Sequence, residues 1–428
     1  MSIQDSCLWQ MISPKTTHYP TLVGEKNVDV CVVGGGYTGL SAAVHLAEFG
    51  YRVCVLEANH VGFGGSGRNV GFVNAGTWSS PNALNQCLGQ AAGEKLTHAL
   101  GLAPKLVFDM IDKYQINAQD TRTGNLHMAH NASAEADIDA RYAQLTQCGA
   151  DVEILTGSQC HDYTGSTKIN KILLDKRAGT INPFAYVNGL AQAASGLGVD
   201  IYENTHATAI TRQGTDWHIS CPNGAIIAKK VVLATNAYSE GEWLDVQRSF
   251  YHVCYYQIAS YPLGDVADYI LPYKNGAWDT RLALSSIRRD ADGRLLLGTV
   301  GGQAFKSANF YQKWANLVQQ RYFPNLTNLK WQCQWFGKFG FTPNHVMRVF
   351  MPADGIVAAT AYNGRGITTG TLMGKAFATF IKHDDPSVLP LPFCDLAGNC
   401  LNYRHARSTC TEIGLTLYHA GQILRIIA

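Results

Sequence analysis

The stretch VDVCVVGGGYTGLSAAVHLAEFGYRVCVLE, residues 28–57, decides the fold of this chain. Residues 28–33 form a short apolar run that is typical of a buried strand, and glycines follow it at once. An amphipathic run over residues 38–49 predicts a helix, and Gly50 follows it as glycine commonly follows a helix. Residues 51–57 predict the next strand. The stretch therefore predicts one βαβ unit.

The glycines between the first strand and the helix have the spacing G-x-G-x-x-G. Gly34 allows the tight turn, Gly36 lets the backbone approach a pyrophosphate, and Gly39 lets helix and strand pack closely. The free N–H groups at the start of the helix then face the phosphates. Glu57 lies eighteen residues after Gly39, where a carboxylate accepts hydrogen bonds from ribose hydroxyls. The pattern predicts a dinucleotide site and disfavours the 2′-phosphate of NADP.

A second glycine-rich segment, GFGGSGRNVGFVNAG at residues 62–76, favours FAD over NAD. Its many glycines indicate backbone packed against a flat ligand. A solvent-exposed loop would be more polar and would lack the apolar residues that flank these glycines. Polar side chains stand among them. From these two segments we expect cofactor contacts from Gly34, Gly36, Tyr37, Thr38, Gly39, Glu57, Ala58, Gly65, Ser66, Arg68, Asn69 and Gly71.

Three motifs give the chain a specific resemblance. They are the βαβ unit with SGRN at residues 66–69, VVLATNAYS at residues 231–239, and YNGRGITTGTLMGKAFA at residues 362–378. In this order they resemble the D-amino-acid-oxidase-like FAD-dependent oxidoreductases, and within them the gamma-glutamylputrescine oxidoreductase subgroup. The resemblance covers nearly the whole chain. It implies further FAD contacts at Ala207, Thr208, Ala234, Thr235, Asn236, Gly364, Arg365, Gly366, Ile367 and Thr368.

The resemblance implies an α/β fold (α+β overall) in two discontinuous parts. A Rossmann-like FAD-binding domain is expected from residues 1–91, 171–245 and 336–428. An inserted antiparallel-sheet substrate domain is expected from residues 92–170 and 246–335.

The first insertion shows helical periodicity. Apolar residues spaced three and four apart predict that residues 92–145 are largely helical, with a kink or restart at Pro104.

Composition excludes several classes of protein. The 428 residues are 46% hydrophobic and 15% charged with a net charge of +2, so the chain is globular and no nucleic-acid partner is indicated. No apolar run is long enough for a transmembrane segment, and the first fifteen residues do not resemble a secretory signal. The twelve cysteines include no CxxC pair, which favours reduced thiols in a cytoplasmic protein. No metal site is predicted.

The resemblance implies oxidation of the C–N bond of an amine or amino acid. Hydride transfer to flavin N5 yields an imine that water hydrolyses, and the protein supplies placement and electrostatics. A gamma-glutamylputrescine-like or N-substituted amino-acid substrate is expected. Strand alternation places Tyr255 and Gln257 on one face and Tyr256 on the other, so these three cannot all line one pocket. The candidates for catalytic residues are Arg365, Tyr256, Trp278 and Gln257.

The sequence departs from some relatives at three places. Gly337 stands where some relatives have a cysteine that tethers FAD, and Gly67 and Arg68 stand near the place of a tethering histidine. These departures predict non-covalent FAD. Leu296 aligns with a lysine that helps reduce O₂ in sarcosine-oxidase-like relatives. Oxidase and dehydrogenase therefore both stay open, with O₂ favoured because the subgroup contains oxidases that lack this lysine.

Several alternatives stay open from the sequence. One is an amine or amino-acid dehydrogenase that passes electrons to a quinone or another carrier. An FAD module in RNA modification would call for a basic face or a fused transferase. A pyridine-nucleotide reductase would show a second G-x-G-x-x-G unit in mid-chain. The last alternative is a protein that holds FAD without turnover.

Overall fold

The computed structural model describes residues 3–13, 17–239, 245–302 and 308–427. In chain order the strands are β1 Gln4–Asp5, β2 Gly24–Val33, β3 Val53–Leu56, β4 Phe72–Val73, β5 Asn125–Met128, β6 Val152–Thr156, β7 Lys171–Asp175, β8 Gly179–Thr180, β9 Asp200–Tyr202, β10 Ala209–Gln213, β11 Asp216–Cys221, β12 Gly224–Leu233, β13 Tyr251–Ser260, β14 Gly276–Asp279, β15 Ser285–Arg289, β16 Leu295–Val300, β17 Trp331–Phe341, β18 Arg348–Ala353 and β19 Ile356–Thr360. The helices are α1 Leu8–Ile12, α2 Tyr37–Glu48, α3 Gly65–Arg68, α4 Pro81–Leu88, α5 Gln90–Lys113, α6 Ala132–Gln147, α7 Ser158–Thr164, α8 Pro183–Gly196, α9 Ala308–Tyr322, α10 Gly366–His383 and α11 Arg404–Ile423.

The first sheet is the Rossmann-like part that the sequence predicts. Its parallel strands run in the order β9-β3-β2-β12, and β19 lies parallel to the carboxyl end of β12. Both faces of β2 are buried: Val30 and Val32 pack in a core with α2, α8 and α10, whereas Cys31 and Val33 pack on the other side. Burial on both faces explains why β2 reads as a continuous apolar run.

The second sheet has nine strands in the order β1-β17-β13-β16-β15-β14-β5-β7-β6. Most neighbouring pairs are antiparallel, as predicted, but β1 pairs with β17 and β5 with β14 in parallel. Helix α9 packs its apolar side on one face of this sheet and forms a second core. The other face of the sheet faces the first sheet across a large cavity.

The sheets assign some segments differently from the expected domain bounds. Strand β7 begins at residue 171 but lies between β5 and β6 in the nine-stranded sheet, and β17 runs through the expected bound at 336. Helix α5 packs against α10 in the core of the FAD-binding part. The physical reason is that strand pairing and helix packing, not sequence order, decide which segments share a core.

The expectation of a largely helical region over residues 92–145 is only partly right. Helix α5 passes through Pro104 without ending, because the carbonyl of Leu100, which proline cannot bond, accepts from the N–H of Gly76 at 3.0 Å. Strand β5 then interrupts the region before α6 begins at Ala132. Since β5 pairs only with the distant strands β7 and β14, local periodicity does not reveal it.

The described residues contain neither a membrane-spanning helix nor a cluster of metal ligands. No helix in the described ranges has both the length and the apolar character needed to span a bilayer. No three His, Cys, Asp or Glu side chains in those ranges come together as ligands for a metal ion.

Candidate active site

A cavity of about 910 Å³ lies between the two sheets. It begins at the carboxyl ends of β2, β3 and β12, next to Val33, Leu56 and Ala234, and continues to the inner face of the nine-stranded sheet. Open α/β sheets bind ligands at this edge. The volume is near the upper end of the range of roughly 300–1,000 Å³ that small-molecule sites occupy.

The turn after β2 leaves no room for side chains. Gly34 has φ +112°, and a Cβ there would lie 2.9 Å from the carbonyl oxygen of Ala234. A Cβ at Gly36 would lie 2.9 Å from Oγ of Ser66, and one at Gly39 would lie 2.0 Å from the carbonyl oxygen of Gly34. The backbone and the N-terminus of α2 can therefore face the cavity directly, which suits a diphosphate.

Glu57 directly follows β3 and lines the cavity. Its Oε2 accepts from the N–H of Gly35 at 2.8 Å, and its Oε1 accepts from the N–H of Asn59 at 2.9 Å. Burial raises the pKa of Glu57, and the two backbone donors oppose this rise. The carboxylate is thus fixed in place, and each oxygen keeps a lone pair for a ribose hydroxyl.

The residues present fit FAD. The glycine turn at Gly34–Gly36, which we call the glycine cradle, and the fixed carboxylate of Glu57 both line the same large cavity. Most residues expected from the sequence line this cavity. They are Gly34, Gly36, Tyr37, Thr38, Glu57, Ala58, Gly65, Ser66, Arg68, Asn69, Ala207, Ala234, Thr235, Asn236, Gly364, Gly366 and Ile367, together with the candidates Gln257 and Trp278.

Five expected FAD contacts lie outside the lining of this cavity, namely Gly39, Gly71, Thr208, Arg365 and Thr368. Gly39 instead allows α2 to pack against the turn, and Gly71, at φ +81°, turns the chain between α3 and β4. Thr208 is exposed and donates to the carbonyl of Ser220 at 3.1 Å. Thr368 is buried within α10. Their neighbours Ala207 and Ile367 line the cavity, whereas Thr208 and Thr368 do not.

Tyr256 also lies outside the cavity, which corrects its listing among the catalytic candidates. It is fully buried in the second core, where its ring centre lies 4.5 Å from that of Tyr311. Its hydroxyl donates to Oε1 of Gln334 at 2.9 Å. Strand alternation turns its neighbours Tyr255 and Gln257 to the opposite face, towards the cavity.

Tyr255 and Gln257 present polar atoms to the cavity. The Tyr255 hydroxyl donates to Oγ of Ser286 at 2.7 Å, and burial raises the pKa of Tyr255. Nε2 of Gln257 donates to the carbonyl of Arg68 at 2.5 Å. Oε1 of Gln257 is buried and has no donor among the described residues. This oxygen therefore keeps an unused acceptor position beside the cavity.

Arg365 lies outside the large cavity, although the sequence suggested it as both an FAD contact and a catalytic residue. Its neighbours Gly364 and Gly366 line the large cavity, but its own side chain lines a smaller one of about 40 Å³. The guanidinium lies 4.6 Å from the ring centre of Trp78 and 5.5 Å from that of Trp278. Burial lowers the pKa of Arg365 to about 9. Its direct contact with FAD is thus not supported, because the two indoles hold it aside.

Several lining residues were not expected from the sequence. His127 stacks on Trp278 with ring centres 5.3 Å apart, and burial lowers the pKa of His127 well below its ordinary value. Arg141 lines both cavities. The ammonium of Lys338 lies 4.8 Å from the ring centre of Tyr238. His127 and Arg141 lie in the region read as helical, where nothing marks which side chains face a cavity, but Lys338 could have been found beside the aligned Gly337.

The family model for DAO, described as FAD dependent oxidoreductase, matches residues 29–379. The chain belongs to this family. It is therefore an FAD-dependent oxidoreductase of the amine and amino-acid oxidase type. The match extends from the dinucleotide unit to α10 and so includes most of the elements that enclose the large cavity.

Two sequence relatives and one solved structure illustrate the DAO-family relationship. Gamma-glutamylputrescine oxidoreductase of Escherichia coli K12 is 29% identical over 90% of both chains. The probable oxidoreductase OrdL of Haemophilus influenzae is 29% identical over 86% of both. Glycine oxidase from Geobacillus kaustophilus superposes with a TM-score of 0.70 at 19% identity, covering 88% of this chain and 99% of that one. The structural likeness concerns the fold.

Proposed function

We propose that this DAO-family enzyme oxidises the C–N bond of a gamma-glutamylputrescine-like or N-substituted amino-acid substrate, with non-covalent FAD and with O₂ as electron acceptor. The observation that carries the proposal is the single cavity that runs from the glycine cradle to the polar side chains of the nine-stranded sheet. The name of the Escherichia coli relative supports the gamma-glutamylputrescine-like class.

The FAD-binding part would hold the cofactor at three places. The loop from Gly34 to Gly36 and the N-terminus of α2 would bind the diphosphate. Glu57 would accept from the ribose. Gly364 and Gly366 bring the N-terminus of α10 to the cavity, where its dipole stabilises negative charge. Bound FAD would supply the hydride acceptor for the carbon next to the substrate nitrogen.

The nine-stranded sheet would place the substrate. Trp278 provides an apolar wall, while Tyr255, Ser286 and the free Oε1 of Gln257 provide polar groups on the same side. These groups can orient the amine and exclude water without an acid–base relay, because hydride transfer from an amine depends mainly on placement.

The non-covalent attachment rests on the positions of the cysteines. Gly337 lines the cavity, whereas Cys333 is fully buried in the core that includes α2 and α8. Among the described residues no cysteine lines the cavity. After acid precipitation we expect the yellow flavin in the supernatant; flavin absorbance in the washed pellet would contradict this part of the proposal.

Positive charge near the cavity supports O₂ as the acceptor. Leu296 is buried in the core, so the position aligned with the family's lysine offers nothing to oxygen. Arg68 and Lys338 line the cavity instead and form no ion pair in the described part of the chain. Such charges stabilise the superoxide that forms when O₂ takes one electron.

An anaerobic substrate panel tests the proposed function. Purified holoenzyme is mixed with gamma-glutamylputrescine, putrescine, sarcosine, glycine and D- and L-alanine, and the absorbance of oxidised flavin is followed. We expect bleaching by at least one of them, and rapid return of colour when O₂ is admitted. If none of these compounds bleaches the flavin, the proposal fails. Slow return with O₂ but rapid return with a quinone would identify a dehydrogenase instead.

A further inference from the structure

Helix α11 supplies part of the wall of the large cavity from outside the region that the family model matches. Every other described residue of the lining lies between Val33 and Ile367, within the matched residues 29–379. Thr411 and Leu415 lie beyond that range, four residues apart on one side of α11. Side chains outside the shared part of a fold can differ between enzymes that share a chemistry. The α11 wall is therefore a place where this enzyme can set its own substrate preference.

Hydrogen bonds fix α11 to β13, beyond the part of β13 that pairs with β16. Oγ of Ser408 accepts from the N–H of His252 at 2.9 Å. Oε1 of Glu412 accepts from the N–H of Cys254 at 2.8 Å, and its Oε2 accepts from the N–H of Gly302 at 3.1 Å. Side chains of α11 thus bind N–H groups that a neighbouring strand would otherwise bind, so the helix has a defined position against the sheet.

Leu415 packs closely against the end of β16. Gly301 has φ +95°, and a Cβ there would lie 3.0 Å from that of Leu415. One turn further along α11, Nε2 of His419 donates to the carbonyl of Val300 at 2.9 Å. Glu412, Leu415 and His419 follow the spacing of one helix face. Because bonds to the backbone lie one turn before and one turn after it, Leu415 is held at the cavity wall.

Apolar side chains continue this wall from Leu415. Val253 on β13 and Val300 on β16 line the cavity, and Phe339, which also lines it, is the registered neighbour of Val253 on β17. The hydroxyl of Tyr255 lies two residues further along the same face of β13. A polar substrate centre beside Tyr255 would therefore direct an apolar group towards Val253 and Leu415.

We propose that Leu415 is a specificity-determining residue, which limits the length of the apolar group that the substrate places against α11. The inference rests on the proposed function for the amine chemistry and adds the part of the substrate that meets this wall. Leu415 does not take part in hydride transfer. It decides how long an alkyl chain fits while the reacting carbon keeps its place.

The test uses (alkylthio)acetates with methyl, butyl and hexyl chains. A thioether sulfur replaces the substrate nitrogen in these probes, so they can bind without transferring a hydride. Holoenzyme is titrated with each probe, and the change in the visible flavin spectrum gives the dissociation constant. Each methylene that the cavity buries strengthens binding about fourfold. In the parent enzyme we expect this gain to stop before hexyl, where the chain meets Leu415.

Two opposite substitutions should move this limit in opposite directions. We expect Leu415→Ala to raise the ratio of the methyl to the hexyl dissociation constant about tenfold or more, because the truncation makes room for further methylenes. Leu415→Phe fills the space and should lower the same ratio. The matched control Leu417→Ala removes an exposed leucine on the opposite side of α11, outside the cavity lining, and leaves the ratio unchanged.

Four results would overturn the proposal. They are an unchanged ratio in Leu415→Ala, a raised ratio in Leu415→Phe, an equal shift in the control Leu417→Ala, and a parent enzyme that binds none of the three probes. A ratio within one variant is compared, so a general weakening of the site does not imitate the effect. If one of the two Leu415 variants does not fold, the other decides the question by its own direction.

Failure of this inference is distinguishable from failure of the proposed function. If amines bleach the flavin but the ratio does not respond to Leu415, the chemistry stands and the role of Leu415 is wrong. If the ratio shifts as expected but no compound of the anaerobic panel bleaches the flavin, the α11 wall stands and the proposed reaction is wrong.

Discussion

Neighbouring tyrosines on β13 illustrate how a single residue step changes the role of a side chain. The Tyr255 hydroxyl meets Ser286 at the cavity, whereas the Tyr256 hydroxyl meets Gln334 in the second core. Both phenols are hydrogen-bonded, so removal of either oxygen leaves an acceptor without its donor. Loss of the Tyr255 hydroxyl changes the cavity, whereas loss of the Tyr256 hydroxyl changes the second core, because the two side chains lie on opposite faces of the sheet.

For Tyr255→Phe we expect flavin reduction by a substrate of the anaerobic panel to slow several-fold, with little change in the melting temperature. For the matched variant Tyr256→Phe we expect the reverse, because the lost hydrogen bond is worth about 1 kcal/mol in the core and does not touch the cavity. Stopped-flow bleaching and thermal unfolding measure the two effects. Equal slowing in both variants would contradict the separation of faces.

Glu57 offers a second prediction at the residue scale. Replacement of its carboxylate by an amide in Glu57→Gln removes charged acceptors and leaves an NH₂ group beside the N–H groups of Gly35 and Asn59. Hydrogen bonds to charged groups are worth about 1.5–3 kcal/mol, so we expect the dissociation constant for FAD to rise about tenfold or more. Fluorescence titration of the apoprotein measures it. The exposed Glu25→Gln serves as the control, and an unchanged affinity in Glu57→Gln would exclude the ribose contact.

At the scale of elements, α2 and α10 approach each other very closely. A Cβ at Gly374 on α10 would lie 2.5 Å from the carbonyl oxygen of Thr38 and 2.6 Å from the backbone nitrogen of Ala42, both on α2. A hydrogen bond also joins the two helices, since Ser41 donates to the carbonyl of Thr371 at 2.7 Å. This contact connects the first and last glycine-rich motifs, which both reach the cavity.

Gly374→Ala should therefore push the two helices apart. We expect a loss of unfolding free energy of about 1–3 kcal/mol or more, because overpacking against backbone atoms cannot relax by a rotamer change. Urea unfolding measures the loss. Gly196→Ala in α8 is the control, since a Cβ there meets nothing within 4 Å and alanine favours a helix. A Gly374→Ala variant as stable as this control would disprove the close contact.

At the scale of the whole molecule, the two cores lie on either side of the large cavity, which we expect FAD to fill. Binding to the folded state alone stabilises it, by about 2.7 kcal/mol when free FAD exceeds its dissociation constant one hundredfold. We expect the melting temperature of apoprotein to rise steadily with added FAD, and to rise less with ADP, which fits only the glycine cradle and Glu57. Differential scanning fluorimetry with both ligands provides the measurement. Equal shifts with FAD and ADP would indicate that the flavin half of the cavity binds nothing.

Local sequence patterns were sufficient to predict the residues at the cofactor end of the site. Gly34, Gly36 and Glu57 lie within one βαβ unit, so their geometry follows from short-range chain constraints that the sequence displays. The family, the Rossmann-like fold and FAD could all be predicted from such motifs, and the comparisons confirm them.

The substrate end depended on long-range pairing. The sequence alone predicted that Tyr255 and Tyr256 face opposite ways, because strand alternation is local, but it could not tell which face meets the cavity. Arg141 and Arg365 are separated by more than two hundred residues. Both line the smaller cavity because α6, which connects strands β5 and β6 of the nine-stranded sheet, lies near the start of α10 in the folded chain. The tertiary structure decided which side chains share a cavity, because strand pairing and helix packing set the distances between them and no local pattern encodes those distances.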